Sequence, residues 1–320
     1  MSLDPSMINL TAITAPPFIG IILNWGLFGI LSLQVYFYFQ AFLNDRKPLK
    51  FVVGGVYIFE VVQTALMTQT AWNQSVSGFG NLAVYDEIGT AWLSVGCIGG
   101  LVGLLVQTFY AYRISVFSKN RIIPGLVVLM ALTSFAGALS VAVNTKREGK
   151  FSILLAEPNE SFTFTTIGLW IGTRSACDLV ITACMCYYLH AFKKYGSFSK
   201  TQDLLSKLVR MTIETGMLTA SISILTLALY YAPRFKNLSY FQITLSAEAK
   251  LYSTTMLAVL NSRMKVGVAS ESTTWLDNEL VFTLPRSTQD TRGIKVDLSS
   301  SAGSVHHVNI PVRKDEEHGE

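Results

Sequence analysis

Charge is scarce in this chain: 14% of its 320 residues are Asp, Glu, Lys or Arg, where soluble domains carry about 25%. Half of the residues are hydrophobic and mean hydropathy is +0.40. An ordinary soluble fold is therefore excluded, and an integral membrane protein in the lipid bilayer is expected. The net charge of +4 is scattered among short polar segments. Without a clustered basic face, a nucleic-acid partner is excluded too. Cysteine and histidine are as sparse. Cys97, Cys177, Cys184 and Cys186 lie in apolar runs with no CxxC or Cys/His spacing, which reads as small buried hydrophobes and not as a redox or metal site. His190 falls at the end of an apolar run and reads as an interfacial anchor, and the adjacent His306 and His307 lack further ligands. There is no nucleophile elbow, phosphate loop or metal-ligand cluster, so the expectation is no enzyme, no metal and no cofactor.

What the chain has instead is long apolar runs. A helix needs about 20 apolar residues to cross a hydrocarbon core roughly 30 Å thick. Seven stretches meet that length, near 18–42, 51–72, 89–113, 122–143, 164–190, 205–231 and 240–262. The last is the weakest because it contains charges. The N-terminus shows no basic region and no small-residue cleavage site before its first run, so that run is expected to act as the targeting signal.

Two patterns orient the spans. With the N-terminus outside, the inner segments hold Arg46, Lys47 and Lys50, then Lys119 and Arg121, then Lys193, Lys194 and Lys200, then Arg263 and Lys265. That is the cytoplasmic excess of basic residues, although Lys146, Arg147, Lys150, Arg234 and Lys236 fall on the other side. The four N-x-[ST] acceptors, Asn9, Asn73, Asn159 and Asn237, occupy four different exterior segments and no interior one. Only a lumenal acceptor can be glycosylated, and Asn9 and Asn159 stand farthest from the membrane. The expected fold is thus an all-α, seven-transmembrane-helix bundle over 18–263. An exterior segment precedes it at 1–17, and a polar, disordered cytoplasmic tail follows at 264–320. Two alternating patches in the tail, GIKVDL and VHHVNIPV, could add as strands to the sheet of a cytoplasmic partner. No prenylation box or retention signal marks a particular membrane, which leaves plasma membrane or endomembrane.

Ionisable groups inside spans are costly and turn toward the bundle interior. Here they are Glu60, Arg174, Asp178, Arg210, Glu214, Glu248 and Lys250, a candidate intramembrane polar cluster that either fixes helix register or forms an ion, proton or ligand site. Arg174 and Asp178 are four apart and can pair along one helix face. Glu248 and Lys250, two apart, lie about 200° apart around the helix axis. They must answer to different neighbours, with Arg174 and Glu60 the expected partners. The last span is therefore polar on two sides and is expected to be wedged between other helices. Glycines in GCIGGLVG (Gly96, Gly99, Gly100, Gly103), and Gly20, Gly26 and Gly29 in the first span, suit close helix packing.

The ordered stretches GLFGILSLQVYFYF, QTFYAYRI, DLVITACMCYYL, KLVRMTIETGMLTAS and KLYSTTMLAVLNSR together resemble a fungal family of seven-span membrane proteins catalogued as a domain of unknown function. The matching positions are Gln34, Tyr36, Gln107, Arg113, Asp178, Lys207, Thr215, Gly216, Lys250, Tyr252, Asn261 and Arg263; Glu248 is outside the pattern. The resemblance implies the fold and brings no activity. Two functions follow from the residues themselves: receptor-like sensing through the polar cluster with a tail open to phosphorylation, or transport or channelling of a small solute or ion. The first lacks the acidic-Arg-Tyr triplet, the NPxxY sequence and the cysteine pair of the well-known G-protein-coupled receptors. The second lacks an inverted repeat or paired broken helices. A retinal protein is disfavoured, because Ser246 stands four residues before Lys250 and the third span has no aspartate.

Overall fold

Segments that exclude water must satisfy their own backbone hydrogen bonds, and nearly all of the described chain does so as helix. The structure is a computed structural model that describes residues 10–118, 121–150, 162–194, 200–231 and 240–263. Asn9, Asn159, Asn237 and the tail 264–320 lie outside the described residues. Among the described residues seven long helices follow in order: α1 (Leu10–Ala41), α2 (Lys47–Trp72), α3 (Gly100–Phe117), α4 (Ile122–Glu148), α5 (Phe162–Lys194), α6 (Lys200–Tyr231) and α7 (Phe241–Asn261). A π-helical stretch, Trp92–Gly99, leads directly into α3, and a second, Asn73–Ser77, prolongs α2.

Six of these are long and apolar enough to cross a membrane: Thr14–Ala41, Lys47–Ser77, Trp92–Val116, Ile122–Glu148, Thr165–Tyr188 and Val209–Tyr231. That is the character of a multi-pass membrane protein. Their outward faces carry Phe18, Phe51, Ile58, Leu129, Leu169 and Met217, each more than half exposed. An apolar surface so extensive requires an apolar surrounding. The seventh, α7, is not among the six and is the most enclosed: 14 of its 21 residues are buried, among them Glu248, Lys250, Ser253, Thr254 and Thr255. Its polar side chains are tolerated because other helices, not lipid, cover them.

Several ends differ from the sequence expectation. α1 begins at Leu10 and runs through Pro16 and Pro17, past the first turn, so each lacks the N–H that would have bonded to the carbonyl four residues back. The first turn of α2 contains Pro48, a position that needs no intrahelical donor. α4 stops at Gly149, which takes the left-handed conformation (φ 70°) and returns its N–H to the Thr145 carbonyl.

The interior is stratified. One apolar cluster joins Leu31, Val35, Val56, Val106, Cys177, Met185, Tyr252 and Met256 near the end where α7 finishes. A second joins Ile88, Val141, Ile167, Trp170, Ile171, Tyr230 and Phe241 near the end where α7 starts. On α5, Arg174 separates Ile171 of one cluster from Cys177 of the other, and on α7 Glu248 and Lys250 separate Phe241 from Tyr252. A charged layer therefore lies between two apolar ones.

Glycine lets this layer close. A Cβ on Gly96 would stand 2.7 Å from the Ala142 Cβ, and one on Gly100 would stand 2.7 Å from the Ala138 Cβ. α3 and its π-helical lead can thus lie directly against α4. Gly20 packs similarly on Ser246, but Gly26 and Gly29 have nothing within 4 Å, so close packing does not explain those two.

Candidate functional site

Lys250 has no exposed surface, nor does Glu60. The Lys250 ammonium donates to the Glu60 Oε2 in a buried ion pair and also to the Glu60 carbonyl at 3.1 Å and Gln63 Oε1 at 2.9 Å. All three ammonium donors are thereby used. The Ser253 hydroxyl, one turn along α7, donates to Glu60 Oε1 at 2.5 Å. Gln63 Nε2 donates in turn to the Ser94 carbonyl at 2.9 Å, which ties the pair to the π-helical stretch before α3.

Glu248 points to the opposite side of α7, as the 200° separation requires. Its Oε2 lies 3.2 Å from Arg174 Nη1, and its Oε1 accepts from the Ser223 hydroxyl of α6 at 2.6 Å. Arg174 Nη2 donates to the Gly99 carbonyl at 3.1 Å. The guanidinium lies against two rings, 5.3 Å from the Trp170 centroid and 5.2 Å from that of Tyr252, within the range of cation–π attraction. It occupies space vacated by Gly103, where a Cβ would come within 2.5 Å of Nη2.

Asp178 does not pair with Arg174 along α5. Among the described residues no cation lies within ion-pair distance of it. Its Oδ1 accepts from Gln107 Nε2 at 3.0 Å and its Oδ2 from the Tyr252 hydroxyl. Arg174 turns instead to α7, where Glu248 supplies a full opposite charge. The layer thus sets three carboxylates against two cations, and Asp178 is the one held by neutral donors alone. A small void of about 10 Å³ adjoins it, bordered by Tyr110, Thr212, Thr215, Thr219 and Thr255.

Arg210 and Glu214 do not join the layer. They pair with each other at 2.9 Å on the outer surface of α6, with side chains 77% and 61% exposed, because the 3.6-residue period turns that face away from the bundle. Asn73 is exposed on the π-helical turn after α2. Gln63 and Ser223 belong to the layer although the sequence reading omitted them. Gln63 stands three residues after Glu60, on the same helix face, which was a usable signal; nothing local marks Ser223.

The end where α7 finishes is tied separately. Arg263 Nη2 meets Asp45 Oδ2 at 2.6 Å, the Tyr38 hydroxyl donates to the same oxygen at 2.9 Å, and the Arg263 guanidinium lies 4.6 Å from the Phe42 ring centroid. Burial alone would raise the Asp45 carboxyl. Donors from Arg263, Tyr38 and the Arg46 backbone outweigh it and hold the group below the ordinary carboxylate value. Nearby, Asn261 Nδ2 donates to the Gln34 carbonyl at 2.8 Å, and Arg113 Nη1 donates to the Thr212 hydroxyl at 2.8 Å.

Toward the opposite end the second apolar cluster lines a partly open cavity of about 130 Å³ bordered by α1, α2, the π-helical stretch, α4, α5, α6 and α7. Trp170 belongs both to its wall and to the Arg174 site. The loop before the π-helical stretch folds over this end, where the Ile88 N–H donates to the Gly149 carbonyl at 3.1 Å.

A family described as a family of unknown function (DUF6534) matches residues 174–265. The matched part runs from Arg174 past the end of α7 and contains Asp178, Ser223, Glu248, Lys250 and Tyr252, while Glu60, Gln63 and Gln107 precede it. No curated protein and no solved structure matches the chain.

Proposed function

We propose that this chain spans the membrane seven times, with its N-terminus outside and its tail in the cytoplasm, and works as a receptor-like sensor whose moving part is α7. The observation that carries this reading is that α7 is enclosed on all sides while its two buried charges are held by different helices, Lys250 by α2 and Glu248 by α5. A helix bound by discrete ion pairs has discrete positions, since a small shift breaks a pair instead of stretching it. One end of α7 borders the cavity and the other leads through Arg263 into the tail. Asp178, held only by neutral donors, can exchange partners at the least electrostatic cost. The basic residues around 46–50 and after α7, the exterior sequons and the resemblance to seven-span fungal proteins support the same orientation, with Asn9 and Asn159 glycosylated. The tail then offers its Ser-rich stretch to a cytoplasmic partner. No enzymatic step or cofactor enters this reading.

The test is Asp178→Asn in the full chain, followed by surface abundance, hydrogen exchange at the Arg263 end of α7, and G-protein activation and membrane conductance on the same preparation. Normal abundance with altered exchange and altered output is expected. Loss of folded protein would make the layer a packing device, and a current without any coupled signal would replace the sensor by a transporter or channel.

A further inference from the structure

The 130 Å³ cavity lies outside the charged layer and has a chemistry of its own. Its wall is mostly apolar, with Ile21, Val95, Ile167, Ile171 and Leu245 among the contributors, and among the described residues no Asp, Glu, Lys or Arg lines it. Three wall side chains nevertheless carry polar atoms without a partner: the Ser94 hydroxyl, the Thr145 hydroxyl and the Trp170 indole N–H. These residues are 1%, 7% and 2% exposed. Buried polar atoms are nearly always satisfied, and leaving one unpaired is expensive. Three such atoms lie in the wall of one pocket, just behind its surface and with almost no accessible area of their own, so an occupant reaches them once a wall side chain turns. An apolar container with a few placed hydrogen-bonding groups is the pattern of a binding site.

Size and charge narrow the occupant. An engineered cavity of about 150 Å³ lined only by hydrocarbon takes benzene, so the part of an occupant that this partly open cavity covers is the size of one small ring or a short branched chain. The indole can only donate and thus calls for an oxygen acceptor, while the hydroxyls can give or receive. Among the described residues an ionised ligand would find no counter-charge on the wall itself, and Lys146, off the wall, is engaged with the Trp92 ring at 4.2 Å. The π-helical stretch supplies Ser94 and Gly96 to the wall, and such turns recur at functional sites.

We infer that this cavity is a binding site for a small uncharged molecule with a ring-sized apolar body and one or two hydroxyl or carbonyl groups, held by Trp170, Ser94 and Thr145. This deepens the sensor reading and rests on it for the consequence of binding, although binding itself can be tested alone. Trp170 touches the ligand on one side and Arg174 on the other, so occupancy bears directly on the Arg174–Glu248 pair.

The experiment uses the purified full chain in detergent, with benzyl alcohol, toluene and benzoate as probes and thermal stabilisation as the readout. Benzyl alcohol should stabilise the protein saturably, toluene should need roughly 3- to 10-fold more for the same effect, and benzoate should not compete. Trp170→Phe, which keeps a ring for Arg174, and Thr145→Val should each weaken benzyl alcohol by a similar factor. Ala91→Leu, which fills the cavity from its wall, should abolish saturation in a protein that still melts cooperatively. Stabilisation that survives Ala91→Leu, or that does not saturate, would mean partition into detergent and would overturn the site. A preference for benzoate would overturn its neutrality. Saturable binding with no change in exchange at the Arg263 end of α7 would keep the site and defeat the sensor reading alone.

Discussion

Lys250 illustrates how a lysine survives inside a membrane bundle: every proton it carries has an oxygen, and one of those oxygens belongs to a full negative charge. The pair is nonetheless a poor source of net stability, since desolvation offsets the attraction, whereas orphaning one partner costs about 3–5 kcal/mol. Glu60→Gln alone should therefore lower the melting temperature strongly, and Glu60→Gln with Lys250→Met should recover much of the loss. A double-mutant cycle measured by thermal melting checks this, and additive losses would refute it. Glycines offer a sharper contrast. Gly103→Ala drives a methyl into the Arg174 guanidinium and should destabilise by about 1–3 kcal/mol. Gly29→Ala meets nothing and should be neutral or stabilising by up to about 1 kcal/mol. Equal effects of the two substitutions would contradict the packing described.

Among the elements, α7 is held by charge at mid-length and at its end. The Asp45–Arg263 contact lies outside the spans and should respond to acid. Because the folded carboxyl is depressed, its contribution is complete above the unfolded value of about 3.9 and is lost as pH falls through the folded pKa. Hydrogen exchange at residues 42–46 and at the end of α7 should quicken only below about pH 4. Asp45→Asn should show the fast exchange at neutral pH and no acid step. α4 gives a local counterpart. Gly149→Ala forces a side chain into the left-handed region and should cost about 1–2 kcal/mol, read as fraying of the last turn, where the Ile88 N–H meets the Gly149 carbonyl.

For the molecule as a whole, the separation into apolar, charged and apolar layers places a hydrogen-bonding cavity at one end and a basic, tail-bearing end at the other. The proposed orientation predicts that glycosidase treatment of the protein expressed in a glycosylating cell shifts its mobility. Asn9→Gln with Asn159→Gln should remove the shift. An unshifted wild-type protein whose tagged N-terminus is protected inside the cell would reverse the topology. Much of the architecture was legible beforehand because transmembrane segments announce themselves by length and hydropathy: six of the seven expected stretches correspond to helices apolar enough to span. The seventh, Phe241–Asn261, forms a helix that fails on hydropathy, for the reason that made it the most enclosed.

The sequence by itself determined that apolar helices dominate, and that Glu248 and Lys250 cannot face one another, because helical period and the cost of buried charge act locally. Arg174 and Glu60 are the partners expected from the sequence, but only the tertiary structure decided the contacts: Glu248 meets Arg174 and Lys250 meets Glu60. Arg174 bonds across to α7 and not to Asp178 four residues on, Arg210 and Glu214 turn outward, and Ser94, Thr145 and Trp170 converge on one cavity. Such choices depend on which faces of distant helices meet. Close approach at Gly96, Gly100 and Gly103 sets that meeting, and no pattern confined to a single helix records it.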